Sequence, residues 1–178
     1  MPSKPPHKAP SGSNGGEVPP TRVLFVCMGN ICRSPAAEGV FLHLLAEAER
    51  AHCFRVDSAG TGGWHVGHRA DRRMIAAAER RGIHLPSRAR QIEAADLQRF
   101  DHILTMDADN LAAVQRLERQ APGGARISPL TDHCRRLRSP EVPDPYYGGE
   151  DGFERVLDLL EDACAGLLDN LLQERGQG

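Results

Sequence analysis

Lysine is nearly missing from this chain. It occurs only at Lys4 and Lys8, against 20 arginines, and net charge is −2. That balance excludes a general polyanion-binding surface, so neither nucleic acid nor an acidic membrane face is an expected partner. The arginine excess, with abundant Ala and Gly, reflects genome composition. No apolar run approaches the length of a membrane-spanning helix. Aromatics are scarce: one Trp, two Tyr and five Phe. The five cysteines are odd in number and sit in no short secreted framework, which points to reduced thiols in the cytoplasm. The first 20 residues are rich in Pro, Ser and Gly and lack an apolar run. They are therefore neither a signal peptide nor an anchor, and read as a disordered tail or a start placed too far upstream. Residues 21–175 then suffice for one domain and are too few for two ordinary ones.

What is present is concentrated in one segment. Val23, Leu24, Phe25 and Val26 form a short apolar strand that ends at Cys27. Met28, Gly29, Asn30, Ile31 and Cys32 follow, then Arg33, Ser34 and Pro35. The bare Cys-x5-Arg spacing is weak evidence in so arginine-rich a chain. Its context is specific. Gly29 and Asn30 tolerate the backbone angles of a phosphate nest. Ser34 and Pro35 read as an N-cap and a first helical residue. Ala37, Val40, Phe41, Leu44 and Leu45 then recur on one helical face. Nest N–H groups and a helix N-terminus favour a tetrahedral oxyanion. Arg33 offers a planar fork for two of its oxygens. Cys27, within that field, is expected to be the attacking thiolate.

Beyond this helix, residues 53–57 read as a second strand and 58–64 as a glycine-rich loop. Helices are expected over 71–81 and 94–99. A third strand covers 102–106, and Asp107 or Asp109 caps the helix that follows it. A short strand over 126–130 precedes a long loop over 131–150. A helix over 152–173 keeps a 3.6 period through Phe153, Val156, Leu157, Leu160, Cys164, Leu167, Leu168 and Leu171. Alternating strands and helices predict a single three-layer α/β domain, with a parallel sheet and helices on both faces. In such sheets the site lies beyond the carboxyl ends of the strands, where Cys27 falls.

The long loop supplies an acid. Asp144 is held between Pro143 and Pro145, which restrict its backbone. Tyr146 and Tyr147 follow at once, poor core material but good walls for a flat group. A thiolate attacking a phosphoester needs such an acid for the leaving oxygen. His65 and His68 are spaced like metal ligands but lack further partners, so no metal is expected. Cys53, Cys134 and Cys164 read as structural.

Cys27 through Pro35, Ala37-Glu38, Asp57-Ser58-Ala59 and the Asp144-Pro-Tyr-Tyr run together resemble the low-molecular-weight protein-tyrosine phosphatases, in particular bacterial, cyanobacterial-like members. The resemblance implies a four-stranded parallel sheet and catalysis without a cofactor. It makes Cys27 the nucleophile, Arg33 the transition-state clamp and Asp144 the general acid. Ser34 would donate to the Cys27 sulfur. Asn30 would hold its strained position by bonding Ser58, and Trp64 would face Tyr146 and Tyr147 across the pocket. Cys32 would pair with Cys27 under oxidation. A phosphotyrosine protein, such as a bacterial tyrosine kinase, is the implied partner, with the chain a monomer or weak dimer. One departure stands out: Ser87 occupies the place of a histidine that eukaryotic members link to the first helix's glutamate. Two other readings stay open. An arsenate reductase of the same fold needs a resolving cysteine after the second helix, and residues 82–90 contain none. A non-catalytic phosphopeptide- or anion-binding module would ordinarily have lost Cys27, Arg33 or Asp144, and all three are present.

Overall fold

The computed structural model describes residues 16–176. The tail expected over 1–20 therefore lies, for residues 1–15, outside the described part. Residues 16–20 have no regular structure, and the Pro19 carbonyl accepts a bond from Arg175 Nη1 at 2.9 Å.

Four strands form one parallel sheet: β1 (Thr21–Cys27), β2 (Phe54–Gly60), β3 (His102–Thr105) and β4 (Arg126–Pro129), in the order β2-β1-β3-β4. The helices are α1 (Arg33–Glu47), α2 (Arg72–Glu79), α3 (Asp96–Arg99), α4 (Ala108–Gln120) and α5 (Glu150–Gly176). Alternation along β1 divides the core. Val23, Phe25 and Cys27 pack with α1, α2 and α5, while Leu24 and Val26 pack with α3 and α4 on the other face. β1 is covered on both sides, which is why it reads as an unbroken apolar run. Phe25, Phe41 and Phe54 join β1, α1 and β2 through edge-to-face contacts at 5.7 and 5.6 Å. The strand order reverses at β1, and Cys27 ends that strand at the switch point. The expected architecture is what the chain forms.

Three local expectations change. β2 runs on through Ser58, Ala59 and Gly60, which were read as loop; pairing with Phe25, Val26 and Cys27 overrides their turn-like composition. The long loop contains a 3-10 turn at Leu130–His133. Ser34 is not the cap of α1. The helix starts at Arg33, Cys32 holds the cap position, and no side chain caps it. The first helical bond is Ala36 N–H to Cys32 O, so the first-turn N–H groups are left to the cleft.

Glu38 is 3 % exposed on α1. Burial raises its carboxyl to about 7 and the charge on Asp57 adds to this, while hydroxyl bonds from Ser87 and Ser58 pull the other way. Ser87 thus keeps contact with the glutamate, but as a neutral donor. A carboxyl raised from 4.5 to about 7 binds protons more tightly folded than unfolded. Its contribution is intact below pH 4.5 and lost as pH rises through about 7, a loss of about 3 kcal/mol. Glu38→Gln should remove that part of the slope and gain stability over wild type above pH 7. Urea unfolding of both proteins at pH 5 and pH 8 checks this; parallel slopes would refute it.

Candidate active site

The nest is built on the end of β1 and the start of α1. Asn30 is its pivot. It is a non-glycine residue in the left-handed region, at φ +56°. Its backbone N–H points at Cys27 Sγ, 3.3 Å away. Its side-chain oxygen accepts from the Arg90 backbone N–H at 2.9 Å, which fixes the amide's orientation. The amide nitrogen then donates to Ser34 Oγ at 2.7 Å and Ser58 Oγ at 3.0 Å. Ser34 Oγ lies 3.0 Å from Cys27 Sγ, within reach to donate to a thiolate there, and 3.4 Å from the Ala59 carbonyl. Gly60 lets the nest sit on β2: a Cβ there would stand 2.7 Å from the Met28 carbonyl oxygen.

Arg33 is 3 % exposed. Its Nη1 donates to Asp107 Oδ2 at 2.6 Å and to the Val142 carbonyl at 3.0 Å, and its Nη2 lies 3.6 Å from Asp144 Oδ2. Burial opposes the guanidinium charge, but the Cys27 sulfur and Asp107 outweigh it and hold the group above the ordinary arginine range. Asp107 does two jobs: its other oxygen caps α4 through the Asn110 N–H at 2.8 Å. The sequence leaves the cap between Asp107 and Asp109 and gives no sign of the grip on Arg33, since only the fold brings the two together.

A cleft of about 400 Å³ opens above Cys27. Its floor is Cys27, Met28, Gly29, Ile31, Cys32 and Arg33, and its walls are Trp64, His65, Asp144, Tyr146 and Tyr147. Trp64 and Tyr147 are 70 % and 93 % exposed, so the walls stand open. The Tyr146 N–H holds Asp144 Oδ1 at 3.0 Å. Asn30 is not on the cleft surface; it is buried behind the nest, where its amide bonds Ser58 as the resemblance implies. His65 was not assigned to the wall. Its ring centroid lies 6.5 Å from that of Tyr146, and its place next to Trp64 was the available signal. Cys32 is the second thiol of the cleft; both cysteines are free, and burial pushes the Cys32 thiol up. Among the described residues no group of three His, Cys, Asp or Glu converges as a metal site would require.

The family model described as "Low molecular weight phosphotyrosine protein phosphatase" matches residues 22–177. The chain belongs to the low-molecular-weight protein-tyrosine phosphatase family. A relative from Synechocystis sp. bearing the family name is 45 % identical over 86 % of this chain and 98 % of its own length. The low molecular weight protein-tyrosine-phosphatase of Streptomyces coelicolor is 44 % identical over 83 % of this chain and 91 % of its own. A solved protein tyrosine phosphatase of Entamoeba histolytica superposes with a TM-score of 0.83 at 41 % identity, covering 87 % of this chain and 99 % of that one. A Drosophila arginine phosphatase has a TM-score of 0.79 at 30 % identity over 84 % and 96 %. Solved structures with this fold thus include proteins named for different substrates.

The Asn30 contacts generate a test. Asn30→Gly keeps the left-handed backbone and loses the three side-chain bonds; Asn30→Ala loses both, with about 1–2 kcal/mol of added backbone strain. Inhibition constants for inorganic phosphate should weaken in both variants, more in Ala. Equal affinity in wild type and Asn30→Gly would show that the amide network does not shape the nest.

Proposed function

We propose that the protein hydrolyses phosphotyrosine in protein substrates through a phosphocysteine intermediate. The observation that carries this reading is Cys27 at the floor of an aromatic-walled cleft, with Arg33 and Asp144 facing each other 3.6 Å apart beside it. The Cys27 thiolate attacks phosphorus in line, and the bond to the phenolic oxygen breaks as Asp144 hands that oxygen its proton. Water then attacks phosphorus with Asp144 as base, and the sulfur leaves with its electron pair, stabilised by the Ser34 hydroxyl. The nest N–H groups and Arg33 bind the equatorial oxygens in both steps. Asp107 and the Val142 carbonyl hold the guanidinium in place beforehand, which is electrostatic preorganisation. Trp64, Tyr146 and Tyr147 flank the phenyl ring. The five free thiols support a cytoplasmic location, and among the described residues no helix is long and apolar enough to cross a membrane.

Steady-state kinetics tests this directly. Cys27→Ser should abolish turnover while retaining oxyanion binding. Asp144→Asn should slow aryl phosphates with poor leaving groups by about 10²–10⁴-fold and good ones much less. Phosphotyrosine peptides should exceed phosphoserine and phosphoarginine peptides in kcat/KM. Turnover by Cys27→Ser above a few percent of wild type, or a preference for phosphoarginine, would overturn the assignment.

Cys32 lies in the same nest as Cys27, and we assign it as the thiol that traps an oxidised Cys27 as a disulfide. Peroxide-treated wild type should lose two mass units and regain full activity with dithiothreitol. Cys32→Ser should recover little at the same dose. Identical recovery in the two proteins would return Cys32 to a packing role.

A further inference from the structure

We propose that Arg73, on α2, is the positioning residue that sets the Asp144 loop in its catalytic place; this rests on the reading of Asp144 as general acid. Arg73 is outside the cleft lining, yet two hydrogen bonds join it to the acid. Its Nη2 donates to the Tyr146 carbonyl at 2.9 Å, and the N–H of the same tyrosine donates to Asp144 Oδ1 at 3.0 Å. The other end of the strap is anchored in the nest. Asp71 grips the guanidinium at both oxygens, Nε to Oδ1 at 3.1 Å and Nη2 to Oδ2 at 2.9 Å. The Asp71 backbone N–H donates to the Ile31 carbonyl at 2.7 Å. The guanidinium also lies over two rings, 4.8 Å from the Phe153 centroid at the start of α5 and 5.5 Å from that of Tyr146.

An exposed Arg–Asp pair contributes little by itself. Here the pair serves as a fixed arm. A planar fork with donors on several edges can hold Asp71 and the Tyr146 carbonyl at once while the guanidinium packs over two aromatic rings. The hydrogen bonds within the loop, Tyr146 to Asp144 and Gly148 to Pro145, do not tie it to the domain. Val142, two residues before the acid, is held by the Met106 carbonyl and by Arg33 Nη1, and Arg73 ties the stretch after the acid, at Tyr146, to the element that supports the nest. Proton donor and nucleophile are thereby held in one frame, and small misplacements of such groups are costly in rate.

The test is a leaving-group series of aryl phosphates on Arg73→Met, Arg73→Lys, Asp144→Asn and the double variant Arg73→Met/Asp144→Asn. Met keeps the apolar stem and loses the donors. Lys keeps the charge and the stem, but its single ammonium cannot reproduce the fork. Arg73→Met should lower kcat by about tenfold or more on poor leaving groups, within the range a general acid supplies, and by much less on good ones. Arg73→Lys should fall between wild type and Met. In the Asp144→Asn background, Arg73→Met should add no further loss, because residues acting through one another are non-additive. A steep series for Asp144→Asn with a flat one for either Arg73 variant, or losses that multiply in the double variant, would overturn the positioning role alone. A flat series for Asp144→Asn would overturn the general-acid reading, and the Arg73 assignment with it. Arg73→Lys keeps the proposal testable if Arg73→Met does not fold.

Discussion

The nest depends on the orientation of a single amide. Asn30 sits where the backbone is left-handed, a conformation that costs a non-glycine residue unless its surroundings fix it. The Arg90 backbone N–H decides which end of the amide faces which way. From that follow the donors to Ser34 and Ser58, while the left-handed backbone aims the Asn30 N–H at the Cys27 sulfur. A glycine would reach the same dihedral angles and keep the backbone N–H, but would make none of the three side-chain bonds. The strain is thus retained because the residue that bears it also organises the sulfur's hydrogen bonds.

Charge is arranged on the same plan. Arg33 is a buried cation, which is expensive unless paired and hydrogen-bonded. Asp107 and the Val142 carbonyl share one nitrogen, leaving the other side of the fork toward Asp144 and the cleft. The site is therefore built around a cation that is neutralised from behind and available from the front. Asp107 also caps α4, so the position of the clamp is tied to a helix on the opposite face of the sheet from α1. Glu38 shows the opposite case. It is a buried carboxyl whose neighbours are hydroxyls and Asp57, and burial raises it above the ordinary carboxylate range.

Much of this was legible along the chain. The apolar run of β1 and the periodic faces of α1 and α5 are local patterns, and burial against one sheet follows from them. Cys27, Arg33 and Asp144 declared themselves by residue type and by the turn chemistry around them. Where reading failed, longer-range forces had won. Ser58–Gly60 look like a loop by composition, and register with β1 makes them strand. Ser34 looks like a cap; in the fold its hydroxyl lies 3.0 Å from the Cys27 sulfur, and no side chain caps the helix.

By itself the sequence determined the order strand, nest, helix, and the presence in one chain of Cys27, Arg33 and Asp144, the residues we propose as nucleophile, clamp and acid. These are set by backbone preferences and side-chain periods acting over a few residues. Only the tertiary structure decided what holds them. Arg33 meets Asp107 across 74 positions, Asn30 meets the Arg90 backbone across 60, and Arg73 reaches the Tyr146 carbonyl across 73. No local period announces such partners, because each pairing exists only after the sheet has brought the carboxyl ends of its strands and the following loops to one edge.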